Sequence, residues 1–183
     1  MELSEMEKVQ IEKKVDFLLA LFGYSKEDRY VDIVEFTKKM RFTVGNADLK
    51  EDEDGLLLIS QEKKVIAVNS DRSMEWKRFI IAHEFAHYFL HYVLNGTFKN
   101  STQEAVLLHR ENKKGRNESE NDADYFAAAL LMPRETFKMQ YEKYKSEGLE
   151  DNEIYFQLGN IFGVPLESAK RRVEEIKELE EQK

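Results

Sequence analysis

The spacing of apolar and polar positions along the chain predicts two helices before residue 42. Between residues 6 and 22 apolar side chains recur every three or four positions, which predicts a helix that Gly23 ends. Ser25 and Asp28 have the spacing of a capping box, and they predict a second helix that runs to about Met40.

Short apolar runs follow, and they predict strands rather than helices. RFTV is a candidate strand, and GLLLIS and VIAVNS flank QEKK as the two arms of a hairpin with a four-residue loop. EAVLLHR, further along, is a weaker strand candidate. A small antiparallel sheet is therefore predicted just ahead of the central helix.

The second half of the chain is predicted to be helical. Asp71 or Ser73 can cap a helix that runs through MEWKRFIIAHEFAHYFLHYVL. ENDADYFAAALLM has helical spacing and ends at Pro133, and the pattern after that proline predicts three more helices.

Composition and charge narrow the classes of protein to which this chain can belong. Its 183 residues are 42% hydrophobic and carry 36 acidic against 28 basic side chains, a net charge of -8. This acidic excess argues against a general nucleic-acid or membrane-surface binder, since such partners attract basic proteins. There is no cysteine, so any metal must be held by histidine and carboxylate. The acidic start and the short apolar runs predict a cytoplasmic protein without a membrane span.

The segment FIIAHEFAHYFLH places His83 and His87 four positions apart, with Glu84 directly after the first. On a helix the two imidazoles lie about 40° apart in rotation and about 6 Å apart along the axis, so both can reach one ion. Glu84 lies about 100° around from His83, where it can accept a proton from a water at the metal. The flanking residues are apolar, and polar groups buried there are costly unless something satisfies them. H-E-x-x-H therefore predicts a zinc site with Glu84 as general base.

A catalytic zinc site needs a third protein ligand and one open position. ESENDADYFAAALLMP offers Glu120, with Asp124 four residues later on the same helix face. This spacing suits a ligand followed by an acid that orients a ligating histidine. Glu118 and Asp122 remain rival ligands. Glu120 is favoured because only this residue has an acid four positions later, Asp124, that is paired with the apolar helix face of FAAALLM.

Two other histidines are not predicted to bind the metal. His91 lies about 12 Å along the helix axis from His83, too far to share one ion with it. His109 stands alone in a polar region. The group that would stabilise an oxyanion is left open among four side chains, which are Tyr88, Tyr92, Tyr125 and Arg110.

These motifs resemble those of the ImmA/IrrE family of zinc metallopeptidases, in which H-E-x-x-H is followed by E-x-x-A-N-x-F-A-A-x-L-L-M-P. The resemblance is specific over residues 78–134 and looser on either side. It implies three Zn²⁺ ligands, which are His83, His87 and Glu120. It also implies that Glu84 is the catalytic base. Asp124 stands where the family usually has asparagine, and both side chains can accept a hydrogen bond from an imidazole.

The resemblance also implies a cytosolic protein that cleaves a helix-turn-helix repressor and so relieves repression on a phage or mobile element. Some family members carry a helix-turn-helix segment of their own, and the lack of one at this N-terminus predicts a separate partner protein. The alternative is a non-catalytic metal-binding regulator that binds a repressor or DNA through its C-terminal helices. In that case Lys170, Arg171 and Arg172 would contact phosphate.

Together the patterns predict an α+β, zincin-like fold that is mostly helical, with a small antiparallel sheet packed beside the H-E-x-x-H helix. We expect one metallopeptidase domain over residues 1–183. Its parts would be N-terminal helices (1–45), the sheet and metal site (55–134) and C-terminal helices (135–183).

Overall fold

The computed structural model describes residues 3–25, 27–60, 62–93, 106–111 and 118–181, without the side chains of residues 91, 92, 106–111 and 118. The α-helices within these ranges are α1 (Glu5–Leu21), α2 (Ile33–Lys39), α3 (Met74–Ala86), α4 (Glu118–Leu131), α5 (Arg134–Ser146), α6 (Asp151–Phe162) and α7 (Leu166–Glu181). The strands are β1 (Phe42–Ala47), β2 (Glu53–Ile59), β3 (Lys64–Asn69) and β4 (Val106–Glu111), and a π-helix covers His87–Val93. The predicted α+β class, mostly helical, is confirmed. None of the described helices has the length and apolar content needed to cross a membrane.

The start of α2 differs from the prediction. Ser25 and Asp28 do hydrogen bond to each other, with Ser25 N donating to Asp28 Oδ2 at 2.7 Å, but they form an isolated turn. The helix begins later, at Ile33, where the side chain of Asp32 accepts a hydrogen bond from Glu35 N. A capping pair satisfies local donors whether or not a helix follows, so its spacing does not by itself set a helix start.

The four strands form one sheet in the order β1-β3-β2-β4. The predicted hairpin of β2 and β3 is confirmed, and β4 pairs antiparallel with the other side of β2. The sheet is nevertheless mixed and not antiparallel throughout, because β1 runs parallel to β3. A parallel pair that skips the intervening strand is a non-local choice, which alternating side chains do not reveal.

By their internal contacts the residues fall into two compact units, with the boundary after Ala127 in α4. The first unit is built mainly from Asp32–Ala127, and in it α3 packs on β2 and β3. The second unit combines Ser4–Val31 with Ala128–Lys183, and in it α5, α6 and α7 pack together. The predicted division into one domain with three parts stays a prediction.

The central helix changes its winding where the sequence predicts one continuous α-helix. Ser73 caps α3 as expected, with its hydroxyl accepting from Trp76 N, but the α-helical hydrogen bonding stops at Ala86. The π-helix takes over at His87. Such wider turns are rare, and they occur frequently at functional sites.

A buried arginine organises the second unit. The side chain of Arg172 on α7 is fully buried, with Nη2 2.7 Å from Glu12 Oε1 of α1. Its Nε also donates to the backbone oxygen of Met132 at 3.1 Å. Burial raises the pKa of the neighbouring Glu175 carboxyl, against the opposing effect of the Arg172 charge. The guanidinium is therefore used inside the protein and is not available for the phosphate contact that the DNA-binding alternative gives to Arg172.

Replacing this arginine should destabilise the protein strongly. Arg172→Ala leaves the buried Glu12 carboxylate without this cation, and we expect the free energy of unfolding to fall by about 3–5 kcal/mol. Lys170→Ala, at an exposed position of the same helix, should change it by no more than about 0.5 kcal/mol. Urea unfolding followed by circular dichroism measures both, and equal effects of the two variants would contradict the assignment.

Candidate metal centre

The five side chains singled out from the sequence all belong to the first unit, on α3, at its C-cap and on the part of α4 before Ala127. His83 and Glu84 lie in the last turn of α3, and His87 is the C-cap of that helix. Glu120 and Asp124 lie on α4. His83 and Glu84 are 0% and 1% exposed, so the site is built inside the protein and not on its surface.

Three of these residues converge on one point. His83 Nε2 lies 2.9 Å from His87 Nε2 and 3.3 Å from Glu120 Oε2. His87 Nε2 lies 3.3 Å from Glu120 Oε1. A tetrahedral zinc ion with ligand atoms at about 2.0–2.1 Å holds those atoms about 3.3 Å apart, so the three separations are close to what such an ion requires. Among the described residues, this is the one group of metal-binding side chains whose ligand atoms all lie within 4.8 Å of one another.

Asp124 orients the first histidine. Its Oδ1 lies 2.8 Å from His83 Nδ1. A carboxylate can only accept a hydrogen bond, so Nδ1 carries the proton and Nε2 presents its lone pair toward His87 and Glu120. Carboxylate partners of this kind fix the tautomer and ring orientation of metal-ligating histidines.

The charge state of Glu120 also suits a metal ligand. The neighbouring imidazoles, His83 first and then His87, lower the pKa of this carboxyl well below its usual range, and their effect outweighs the opposing effect of burial. The carboxylate therefore stays ionised at neutral pH, as a zinc ligand must be.

Aromatic packing holds α3 and α4 together beside the polar residues. The ring of Phe85, between the two histidines in sequence, packs on Phe126 of α4 with ring centroids 6.2 Å apart. Phe89 contacts the same ring at 5.7 Å. On its other sides Phe85 meets Phe36 at 5.4 Å and Phe42 at 5.9 Å. These contacts are apolar and dense, so they restrain the spacing of the helices that carry the candidate ligands.

Glu84 borders the sheet through a residue that the sequence analysis missed. A Cβ atom added to Gly55 of β2 would lie 3.2 Å from Glu84 Oε1 and 2.4 Å from Ile80 Cγ2. The backbone of the strand therefore runs directly against α3 at this point. A glycine at the start of the GLLLIS strand pattern was the available signal, since glycine in a strand often marks a close approach.

The other residues that the sequence analysis considered, as rival metal ligands or as groups that would stabilise an oxyanion, lie in different places. Asp122 does not join the convergent group, and Tyr125 is only 1% exposed. The hydroxyl of Tyr88 accepts a hydrogen bond from Lys64 Nζ of β3 at 3.3 Å. Several candidate side chains lie outside the described residues, namely those of Glu118, His91, Tyr92, His109 and Arg110. The structure thus brings His83, His87 and Glu120 together, and their role as ligands stays a prediction.

Comparison with known proteins gives a family and a fold. The family model described as the IrrE N-terminal-like domain, Peptidase_M78, matches residues 37–174. No curated protein matches the chain at a significant level. Among solved structures, the chain is similar to a Mycobacterium tuberculosis transcriptional regulator, with a TM-score of 0.54 and 19% sequence identity. The match covers 87% of this chain and 45% of that one, so the chain spans less than half of the regulator's length.

Removing the orienting carboxylate should weaken metal binding. Asp124→Ala takes away the acceptor of His83 Nδ1, and we expect zinc affinity to fall about 10- to 100-fold. Asp124→Asn keeps an acceptor oxygen, so its zinc affinity should fall less than that of Asp124→Ala. Competition with a chromophoric chelator measures both affinities, and a larger loss for the asparagine variant would contradict the role given to Asp124.

The pH dependence of zinc affinity should not involve Glu120. Protons compete with the metal for imidazole lone pairs, so affinity should fall as the pH is lowered from 8 to 5. The pKa of Glu120 is lowered, so this carboxylate is already ionised over that range and takes up no proton there. Glu120→Gln should therefore bind zinc more weakly at every pH, with the same slope of affinity against pH. A flatter slope in the variant would show that Glu120 does titrate there.

Proposed function

The chain belongs to the Peptidase_M78 family of IrrE N-terminal-like domains, and from that premise we propose that it is a zinc-dependent peptidase that cleaves a helix-turn-helix repressor. One observation carries the proposal. His83, His87 and Glu120 converge as a possible metal group, and the acid beside them in sequence, Glu84, is almost fully buried. A structural site needs ligands only, whereas hydrolysis also needs a base next to the metal.

The donor set fits zinc in a catalytic site. Two imidazoles and one carboxylate are the ligands of a well-known type of hydrolytic zinc site, in which the fourth position stays open. The spacing of the three donor atoms fits tetrahedral coordination, as described above. When bound, zinc would supply Lewis-acid activation of a water molecule and of the scissile carbonyl.

The chain's own residues would do the remaining work. Glu84 would take a proton from the attacking water while the oxygen atom of that water bonds to the carbonyl carbon. It would then pass the proton to the amine nitrogen as the C–N bond breaks. Asp124 would hold His83 in the tautomer that ligates, and the ionised Glu120 would hold the metal from α4.

The substrate part of the proposal rests on family resemblance and on chemistry. A repressor acts on DNA in the cytoplasm, so the peptidase would meet it there, and its cleavage would relieve repression on a phage or mobile element. The similar M. tuberculosis protein is called a transcriptional regulator, which is consistent with this setting.

The alternative is a regulator without catalysis that binds a repressor or DNA through α6 and α7. These helices are joined by a short turn at Gly163, whose backbone is left-handed, as in many helix-turn-helix segments. Two of the three basic residues, however, are engaged within the protein: Arg172 is buried, and Arg171 Nε lies 2.9 Å from Glu175 Oε1. The exposed positions of α7 also carry four glutamates, which are Glu167, Glu174, Glu178 and Glu181. These four glutamates outnumber the exposed basic side chains of the helix, which are Lys170, Arg171 and Lys177, so the net charge of this surface does not favour DNA binding.

Replacing the proposed base separates these functions. Glu84→Gln keeps the size of the side chain but cannot accept a proton, so we expect zinc content to be unchanged and cleavage to fall by about 10²- to 10⁴-fold. The substrate for the assay is the helix-turn-helix protein encoded nearest to its gene, with fragments identified by mass spectrometry.

Glu75→Gln is the matched control, because Glu75 is an exposed glutamate in the first turn of the same helix. It should cleave at the parent rate. Full cleavage by Glu84→Gln, or loss of its zinc, would rule out the role given to Glu84.

A further inference from the structure

We infer that Gly55 is a positioning residue for Glu84: the bare strand backbone at this position sets where the Glu84 carboxylate stands relative to the metal group. The inference rests on the proposed function, since it assumes that the position of this carboxylate matters. It concerns a residue on β2 that lies outside both sequence motifs.

The contacts around Gly55 leave no room for a side chain. A Cβ atom there would lie 2.4 Å from Ile80 Cγ2, far inside van der Waals contact, and 3.2 Å from Glu84 Oε1. Ile80 is fully buried and β-branched, so its methyl group cannot simply swing away. Ile80 and Glu84 are four residues apart on α3, so both contacts act on the same face of that helix.

The two neighbouring strands, β3 and β4, hold β2 in its close approach to α3. Gly55 keeps its pairing with Val68 on β3, whereas the register between β2 and β4 shifts between Glu53 and Leu56. A bulge of this kind bends a strand locally and changes where it points.

Side chains from the end of β3 and from the segment after it anchor the preceding residues of β2. Asp54 is buried, and its Oδ1 lies 2.6 Å from Arg72 Nε. Asn69 Nδ2 donates to the backbone oxygen of Glu53 at 2.8 Å. The bend and these anchors fix the backbone of Gly55 against α3, so an added side chain would have to displace α3 or Glu84 and not the strand.

The metal group itself should be spared by such a displacement. The ligand atoms of His83, His87 and Glu120 are held among themselves and by Asp124, and no atom of these residues is among the nearest neighbours of an added Cβ. A methyl group at position 55 would therefore move the carboxylate of Glu84 more than the ligands. Shifts of about 1 Å in a reacting group can reduce catalysis by about 100-fold.

Acetohydroxamic acid provides a probe that does not depend on turnover. A hydroxamic acid chelates a metal through its two oxygens. A carboxylate beside the metal, here that of Glu84, shares the proton of the hydroxamic acid and so strengthens binding. Its affinity for the cobalt-substituted protein, read from the visible absorption of Co²⁺, therefore reports where Glu84 stands.

We expect Gly55→Ala to bind zinc as the parent does and to bind acetohydroxamic acid about tenfold more weakly. Gly45→Ala is the matched control, since Gly45 is also a strand glycine but an added Cβ there meets nothing within 4 Å. It should match the parent in both measurements. Equal affinity of Gly55→Ala and the parent for the probe would overturn the inference.

A double-mutant cycle tests whether Gly55 acts through Glu84. Glu84→Gln alone should lower the affinity for acetohydroxamic acid, and adding Gly55→Ala to this variant should not lower that affinity further. A further loss of about tenfold would overturn the inference, because Gly55 would then act on something else. If Glu84→Gln alone leaves probe binding unchanged, the proposed function and this inference both fail. If only Gly55→Ala is without effect, the inference fails by itself.

Should Gly55→Ala fail to fold, the same substitution can be made in Ile80→Ala, which removes the methyl group in the closest contact. The contact with Glu84 Oε1 then remains as the tight one. Probe affinity weaker than that of Ile80→Ala alone would support the inference, and equal affinity would overturn it.

Discussion

A hydrogen bond between two helices, from His83 Nδ1 to Asp124 Oδ1, is the constraint on which the candidate site depends. It satisfies a histidine that is fully buried, and it decides which ring nitrogen faces the metal group. It also sets the rotation of α4, since Glu120 lies one turn earlier on the same face. Once Asp124 meets His83, Glu120 comes within 3.3 Å of both imidazoles.

The polar contacts alone would not hold this geometry, and the apolar faces of the same helices complete it. From Arg78 to Ala86 every residue of α3 is buried, so the helix has no solvent face in this segment. One side carries the metal group, another packs on Phe126 through Phe85, and a third lies against the sheet at Gly55. A helix enclosed on all sides resists displacement, which is what a site with small tolerances requires.

The second unit shows how burial changes the meaning of a charged residue. Arg171 and Arg172 are neighbours in sequence and look equivalent there, yet one is half exposed and the other is fully buried against Glu12. The buried guanidinium also binds the backbone oxygen of Met132, directly after the last turn of α4. A basic run that suggests a nucleic-acid contact is thus partly an internal structural element.

The sequence by itself determined the features that depend on near neighbours. The helical spacing of His83 and His87, the β2–β3 hairpin and the Ser73 cap are set by interactions within a few residues, and all three are found as the pattern predicts. The choice of Glu120 over Asp122 was also favoured from spacing, although only the fold shows which acid reaches the histidines.

Tertiary structure alone decided the rest. The parallel pairing of β1 with β3 and the burial of Arg172 against Glu12 each depend on partners distant in sequence. So does the close approach of Gly55 to Glu84, which lie 29 positions apart by their numbers. A periodic pattern tells which side of an element is apolar but not which element will cover it, and that missing partner is the physical reason for the difference.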